Sequence, residues 1–191
     1  MLPIILASKS PRREQILNQI NLDFKIQPSN FEEIISENIK PEDLVLKNAI
    51  GKAREIAAKN PNSIIIGVDT IGSYKHHILE KPKDQEDALR ILKILNNTTH
   101  EVYSGLCVIN TKTREEITHI EKTEVTFGEM TEEEMWKYIH TKEGMDKAAA
   151  FAVQGIGSIF IKKINGCYYN VMGLPIYSLV QIFKRLGVDV I

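Results

Sequence analysis

The 191-residue chain has only two cysteines, Cys107 and Cys167, and no CxxC spacing. That excludes a disulfide framework and a thiolate zinc site, leaving two ordinary half-buried thiols expected in a reducing compartment such as the cytoplasm. Long apolar runs are also missing. The longest, Leu2 to Ala7 and Ile64 to Val68, have strand length and fall far short of the roughly 20 residues that span a bilayer. The first has no basic residue before it and runs straight into Lys9, Arg12 and Arg13, unlike a secretory signal. No membrane association is expected. Charge of one sign is absent too: 24 Lys and Arg face 25 Asp and Glu, a net charge of −1. With no global positive field, a nucleic-acid polymer is not an expected partner. The five histidines form no HxxxH or HExxH, and the chain lacks GxxxxGK[ST], GxGxxG and GxSxG. Repeats and Gly/Ser linkers are absent, so one domain over 1–191 is expected.

What the chain does have is the make-up of a globular α/β protein, 43% apolar and 26% charged. Pro3-Ile4-Ile5-Leu6-Ala7 reads as a buried strand, followed by a helix over 11–20 with Ser10 as N-cap and Pro11 at its first position. A strand near Phe24 to Gln27 leads to a helix from Pro41 to about Lys59, stopped by Asn60-Pro61-Asn62. Ile64 to Val68 reads as a buried strand ending at Asp69-Thr70, with a helix starting at Asp84. Strands are expected over 101–109, 116–120 and 123–127. Thr131 and Glu134 then form a capping box for a helix carrying Met135, Trp136 and Ile139 and ending near Gly144. Ser158 to Ile164 and Cys167 to Val171 read as a hairpin turning at Asn165-Gly166, and Pro175 opens a last helix. The expected class is α/β with a mixed sheet.

Chemistry concentrates at the first strand-to-helix junction, Ser8-Lys9-Ser10-Pro11-Arg12-Arg13. Arginines in the first turn oppose the helix dipole at roughly 0.3–1 kcal/mol each, a conflict that an anion such as a triphosphate reverses. The other reading is a basic turn that points into water. Asp69, at the predicted end of a buried strand, is a candidate to hold a metal or orient water, or a turn residue. With Glu32 and Glu33 it would give Mg²⁺ or Mn²⁺ oxygen ligands, unless the two glutamates are simple surface charge. Val45, Ala49, Lys52 and Ile56 share a helical face, so the Lys52 ammonium either snorkels to solvent or reaches a phosphate in an interior cleft. Lys81 and Lys147 are single loop cations, and Gln154-Gly155-Ile156-Gly157 is either a flexible turn or a ligand-contacting loop.

Ser8-Lys9-Ser10-Pro11-Arg12-Arg13, Gly67-Val68-Asp69-Thr70, Lys81-Pro82, Asp146-Lys147-Ala148, Gln154-Gly155 and Asn170-Val171-Met172-Gly173-Leu174-Pro175 together resemble the Maf family of nucleoside triphosphate pyrophosphatases, in order and spacing from residue 4 to about 186. The resemblance implies a mixed-sheet fold of two lobes around a deep cleft, similar to inosine triphosphate pyrophosphatases. It implies hydrolysis of a nucleoside triphosphate to the monophosphate and pyrophosphate with Mg²⁺ or Mn²⁺. Asp69 matches the family's proton acceptor, and Glu33 matches a carboxylate sharing the metal with Asp69. Arg13, Lys52, Lys81 and Lys147 match its phosphate-facing cations, with Ser8 against the same phosphates. Arg12, Thr70 and Gln154 stand at positions associated with base selectivity and look like the dTTP/UTP branch. A glutamine amide both donates and accepts, as the edge of uracil or thymine requires.

Departures from the family pattern are Val68 for Ala, Glu80 for Gly, and Phe151-Ala152-Val153 for Tyr-Gly-Ile. Glu80 adds a negative charge beside Lys81 that opposes phosphate attraction. Two other readings stand beside this one, which the helix junction and acidic residues do not discriminate: a nucleotide-binding regulator of septum formation without productive hydrolysis, and a nucleotidyltransferase with a sugar-phosphate acceptor. Assembly as a homodimer is left open.

Overall fold

The computed structural model describes residues 2–36 and 38–190. Its seven strands are β1 (Ile4–Leu6), β2 (Lys25–Ile26), β3 (Ile64–Tyr74), β4 (His77–Leu79), β5 (Thr99–Asn110), β6 (Glu115–Phe127) and β7 (Ile161–Asn165). The helices are α1 (Pro11–Gln19), α2 (Pro41–Ala57), α3 (Gln85–Leu95), α4 (Glu132–His140), α5 (Tyr168–Met172) and α6 (Ile176–Arg185). One mixed sheet runs β2-β1-β3-β5-β6-β7, parallel among β2, β1 and β3 and antiparallel beyond, with β4 added to β3. This is the α/β class expected. No helix among the described residues is long and apolar enough to cross a membrane.

The short parallel strands are apolar on both faces because helices cover both, so Ile4, Leu6 and Ile64 to Ile66 are all at most 2% exposed. Each such side chain contributes roughly 1.5–3 kcal/mol relative to an exposed one. On one face α1, α3, α4 and α6 share a core with Leu17, Leu92 and Phe183; on the other, α2 lies directly on β3 and β5. Two glycines allow that close approach. A Cβ on Gly67 would sit 2.3 Å from the Ala49 carbonyl oxygen, and one on Gly105 would sit 2.4 Å from that of Val45.

Register creates the opening that matters for function. On one edge of β3, β1 pairs with 64–66 and β4 with 72–74, so 67–71 have no strand partner on that side. Asp69 therefore does not end a strand, as its sequence suggests. It lies mid-strand opposite Gly105 but beyond the C-terminal end of neighbouring β1, where ligands of open α/β sheets usually bind.

Several other expectations change. The predicted strands at 116–120 and 123–127 are one continuous strand, because β6 keeps its pairing with β5 from Glu115 to Thr126. Helix α4 stops at His140, four residues before Gly144. The predicted hairpin at Asn165-Gly166 holds on one side only: its first strand forms as β7 over 161–165, starting three residues late because 156–160 form a 3₁₀ turn, whereas 168–172 form α5 in place of the second strand. Thr123 explains the second change. Its hydroxyl bonds both the N–H and the carbonyl of Cys167, while fully buried Asn170 donates to the Val102 carbonyl and to Thr123 Oγ1. These tertiary hydrogen bonds override the strand propensity of Tyr-Tyr-Asn-Val. Cys107 is fully buried rather than half-buried, and burial pushes its thiol up to about 12.

Candidate active site

The open edge of β3 forms one wall of a cleft of about 610 Å³. The β1–α1 junction, the segment before α2, the loop after β4, residues 146–149 and the α5–α6 turn form the rest. Six cations line it, Lys9, Arg12, Arg13, Lys52, Lys81 and Lys147, against three carboxylates, Glu33, Asp69 and Asp146. The cleft is thus biased positive in a chain whose net charge is −1.

Helix α2 delivers the central group. Lys52 is 8% exposed, and its Nζ lies 2.7 Å from Asp69 Oδ1 and 2.6 Å from Glu33 Oε1. The ammonium neither snorkels outward nor stands free in the cleft; it bridges two carboxylates. The other Asp69 oxygen, Oδ2, accepts from Asn48 Nδ2 at 3.1 Å. Glu32 is exposed and does not line the cleft.

Arg13 sits on the other face of the sheet and is built differently. Its Nε donates to the Gly173 carbonyl at 2.8 Å. Nη1 donates to Ser8 Oγ at 3.0 Å and to the Val68 carbonyl at 3.1 Å, and Nη2 donates to Thr70 Oγ1 at 3.2 Å. It occupies the backbone acceptor that β1 leaves unpaired and ties three chain segments together. Burial, the largest influence, together with Arg12 pulls its pKa below the usual arginine value, against the opposing charges of Asp69 and Glu33. Gly173 reaches this position at φ +106°, a left-handed turn that favours glycine. The Thr70 hydroxyl also meets Ser104 Oγ at 2.7 Å, so it is engaged inside the protein.

Ser10 occupies the N-cap position of α1, but its side chain makes no capping bond; its N–H points to Ser8 Oγ instead. Arg12 lines the cleft, its pKa lowered by burial with Asp146 opposing. Lys147 donates to Asp146 Oδ1 at 2.6 Å and to the Glu143 carbonyl at 2.5 Å. Lys81 lines the cleft without a hydrogen bond or ion pair among the described residues, whereas adjacent Glu80 lines a separate cleft of about 540 Å³. Glu80 is thus not among the residues lining the cationic cleft. Gln154 is exposed outside the cleft lining, its Nε2 donating to Gln15 Oε1 at 3.2 Å. Its loop is ordered by Glu143, whose carboxylate accepts the N–H groups of Ile156 and Gly157 at 2.9 Å each.

Sequence reasoning missed Asn48, Glu143 and Phe31. For Asn48 a signal existed: Asn48, Gly51, Lys52 and Glu55 recur at helical spacing, one stripe that carries the segment before α2. Phe31 packs over Gly51, where a Cβ would lie 2.3 Å from its ring, and Glu55 accepts from Ser29 Oγ and the N–H groups of Asn30 and Phe31.

The carboxylate pair is a reasonable host for a divalent cation. No group of three or more His, Cys, Asp or Glu able to hold a metal occurs among the described residues. Mg²⁺ needs only one or two carboxylates, with water and substrate phosphate completing its shell, and Glu33 and Asp69 already share one cation.

Comparison with known proteins agrees with this architecture. A HAM1 protein from Coxiella burnetii has a similar fold, at a TM-score of 0.52 and 15% identity over 97% of this chain and 100% of that one. A dTTP/UTP pyrophosphatase of Bacillus cereus (strain G9842) is 44% identical over 190 residues, covering 100% of this chain and 98% of that protein. One from Lachnoclostridium phytofermentans is 46% identical over 195 residues, with the same coverage. The family model described as Maf-like protein matches residues 3–186, so with the cleft, its cations and the Asp69 carboxylate in place, the chain belongs to the Maf-like family.

Proposed function

We propose that this protein hydrolyses dTTP and UTP to the monophosphate and pyrophosphate. The observation that carries the reading is the Glu33–Lys52–Asp69 cluster in a cleft whose other charges are mainly cationic. Full-length relatives named for this activity support it.

In this reading the triphosphate lies along Ser8, Arg12, Lys52, Lys81 and Lys147. Asp69 accepts a proton from water as its oxygen attacks the α-phosphorus, the bond to the bridging oxygen breaks, and pyrophosphate leaves. The cations spread the leaving charge in a site held by internal hydrogen bonds. Glu33 and Asp69 would hold Mg²⁺ or Mn²⁺, which supplies a polarised phosphate oxygen and a more acidic water when bound. Arg13 braces Ser8, Thr70 and the β3 edge, leaving at most one N–H for a phosphate oxygen. Thr70 and Gln154, with Arg12, set the base preference, Gln154 turning in from Gln15 when the base arrives. The expected setting is the cytoplasm.

Pyrophosphate release from dTTP and UTP, measured with and without Mg²⁺ or Mn²⁺, tests the reading. Asp69→Asn should lower kcat by about three orders of magnitude or more, the scale lost with a general base and its metal together, while the protein still melts cooperatively. Nucleotide binding without release would favour the regulator, and release only with a sugar-phosphate acceptor would favour the transferase.

A further inference from the structure

We propose that Asn48 is a positioning residue that locks Asp69 and the Glu33 segment into one geometry for a divalent cation. The inference rests on the functional reading above. Asn48 is 2% exposed and uses both amide hydrogens and its oxygen. Nδ2 donates to Asp69 Oδ2 and to the Ile34 carbonyl, each at 3.1 Å, and Oδ1 accepts the Ile34 N–H at 2.8 Å. Flipping the amide would set its NH₂ against an N–H and its oxygen against a carbonyl and a carboxylate. One orientation alone satisfies all three partners.

The consequence at Asp69 is that each carboxylate oxygen has its own donor, Lys52 on Oδ1 and Asn48 on Oδ2, so rotation of the carboxylate is opposed from both ends. At the other end, Asn48 takes both backbone polar groups of Ile34, next to Glu33. The described residues from 27 to 36 and 38 have no helix or strand, and the Glu33 side chain is 54% exposed, so nothing in regular structure holds this carboxylate near Asp69. Lys52 joins the pair by charge, and Asn48 joins them by geometry. A cation arriving with a phosphate needs the two oxygens at a set separation, and a neutral amide supplies that without competing for the charge.

Asn48→Leu has similar volume and removes all three bonds; Asn48→Ser keeps one hydroxyl. Both are compared with wild type in kcat and KM for dTTP, in Mn²⁺ binding by electron paramagnetic resonance without nucleotide, and in thermal melting. The expected result for Asn48→Leu is a kcat lower by about 10- to 100-fold, KM within about threefold, and Mn²⁺ affinity weakened by about tenfold or more, with Asn48→Ser between. If the Leu variant fails to fold, the Ser variant decides by the same criteria. Unchanged Mn²⁺ affinity, a rate loss that only follows the folded fraction, or a wild-type protein that binds no Mn²⁺ overturns the proposal. A wild type that binds Mn²⁺ but releases no pyrophosphate defeats the functional reading instead, and the Mn²⁺ comparison still decides the role of Asn48.

Discussion

Arg13 and Lys52 are both buried cations beside the same stretch of β3, on opposite faces of the sheet, yet their surroundings have little in common. Arg13 is satisfied by neutral oxygens, two carbonyls and two hydroxyls spread over three segments of chain. Lys52 is satisfied mainly by two carboxylates, with a longer contact of 3.5 Å to the Val68 carbonyl that Arg13 also uses. A planar fork with five donors suits the first arrangement, because it can close an unpaired strand edge and two loops at once; a compact ammonium suits the second, because it neutralises a pair of negative charges without a directional demand. The fork cannot be replaced by another cation. The point charge can.

The largest expected effect follows from the fork. Arg13→Leu removes four hydrogen bonds from a buried charged donor, leaving the Val68 and Gly173 carbonyls only the longer contacts from Lys52 Nζ at 3.5 Å and Thr70 Oγ1 at 3.3 Å, and should lower the unfolding free energy by about 3–5 kcal/mol in urea titrations. Arg13→Lys keeps the charge, and most of the loss should remain. A lysine variant as stable as wild type would break the comparison, since charge alone would then account for the site.

Lys52→Met should lower stability by about 2–3 kcal/mol, because Asp69 and Glu33 lose their shared ammonium and face each other as like charges. It should also abolish turnover. Mn²⁺ should raise the melting temperature of this variant more than that of wild type, since the ion meets two carboxylates with no ammonium between them. Equal shifts in calorimetry would show that Lys52 and the divalent cation do not share a place.

His100 supplies the third case, a buried base with no charged partner. It is fully buried between Phe127 and Phe151, at ring-centroid distances of 5.6 and 5.4 Å, and neither ring nitrogen makes a well-formed hydrogen bond. Burial pushes its pKa down to about 4, with Glu101 offsetting only part of the shift. The folded protein therefore keeps His100 neutral while the unfolded chain takes up a proton below about 6.5, so stability falls as pH drops from 6.5 towards 4. The slope from this group approaches about 1.4 kcal/mol per pH unit. His100→Phe should flatten that limb and add about 1 kcal/mol at neutral pH by removing unpaired nitrogens from an aromatic cluster. It is the smallest of the three effects at neutral pH, and a variant with an unchanged acid limb would remove His100 as its source.

The contrast also marks how far the site could be read in advance. The motif around Arg12 and Arg13 announces an anion site because it conflicts with the α1 dipole, a purely local argument. That Arg13 spends nearly all its donors on the protein while Arg12 faces the cleft is not local. It depends on β1 ending at Leu6 and leaving the Val68 carbonyl without a strand partner. Lys52 was legible as a charge on a buried stripe, but its target was not, because Glu33 is 19 positions and Asp69 17 positions away along the chain. Gln154 shows the opposite limit: its motif is recognisable, yet its side chain rests on Gln15 outside the cleft, a contact made by a loop whose path Glu143 sets.

By itself the sequence determined the α/β class, most helix starts through Pro11, Pro41, Asp84 and the Thr131–Glu134 box, and the residue types of a phosphate site, because each of these is written within a few consecutive positions. Only the tertiary structure decided that β3 continues past Asp69, that 168–172 coil into a helix around Asn170, and that Asn48 and Lys52 converge on the Asp69 carboxylate while Glu33 meets the same ammonium. Those outcomes depend on which strand edge is left open and how closely α2 can lie over Gly67 and Gly105, and contacts between distant segments leave no periodic trace along the chain.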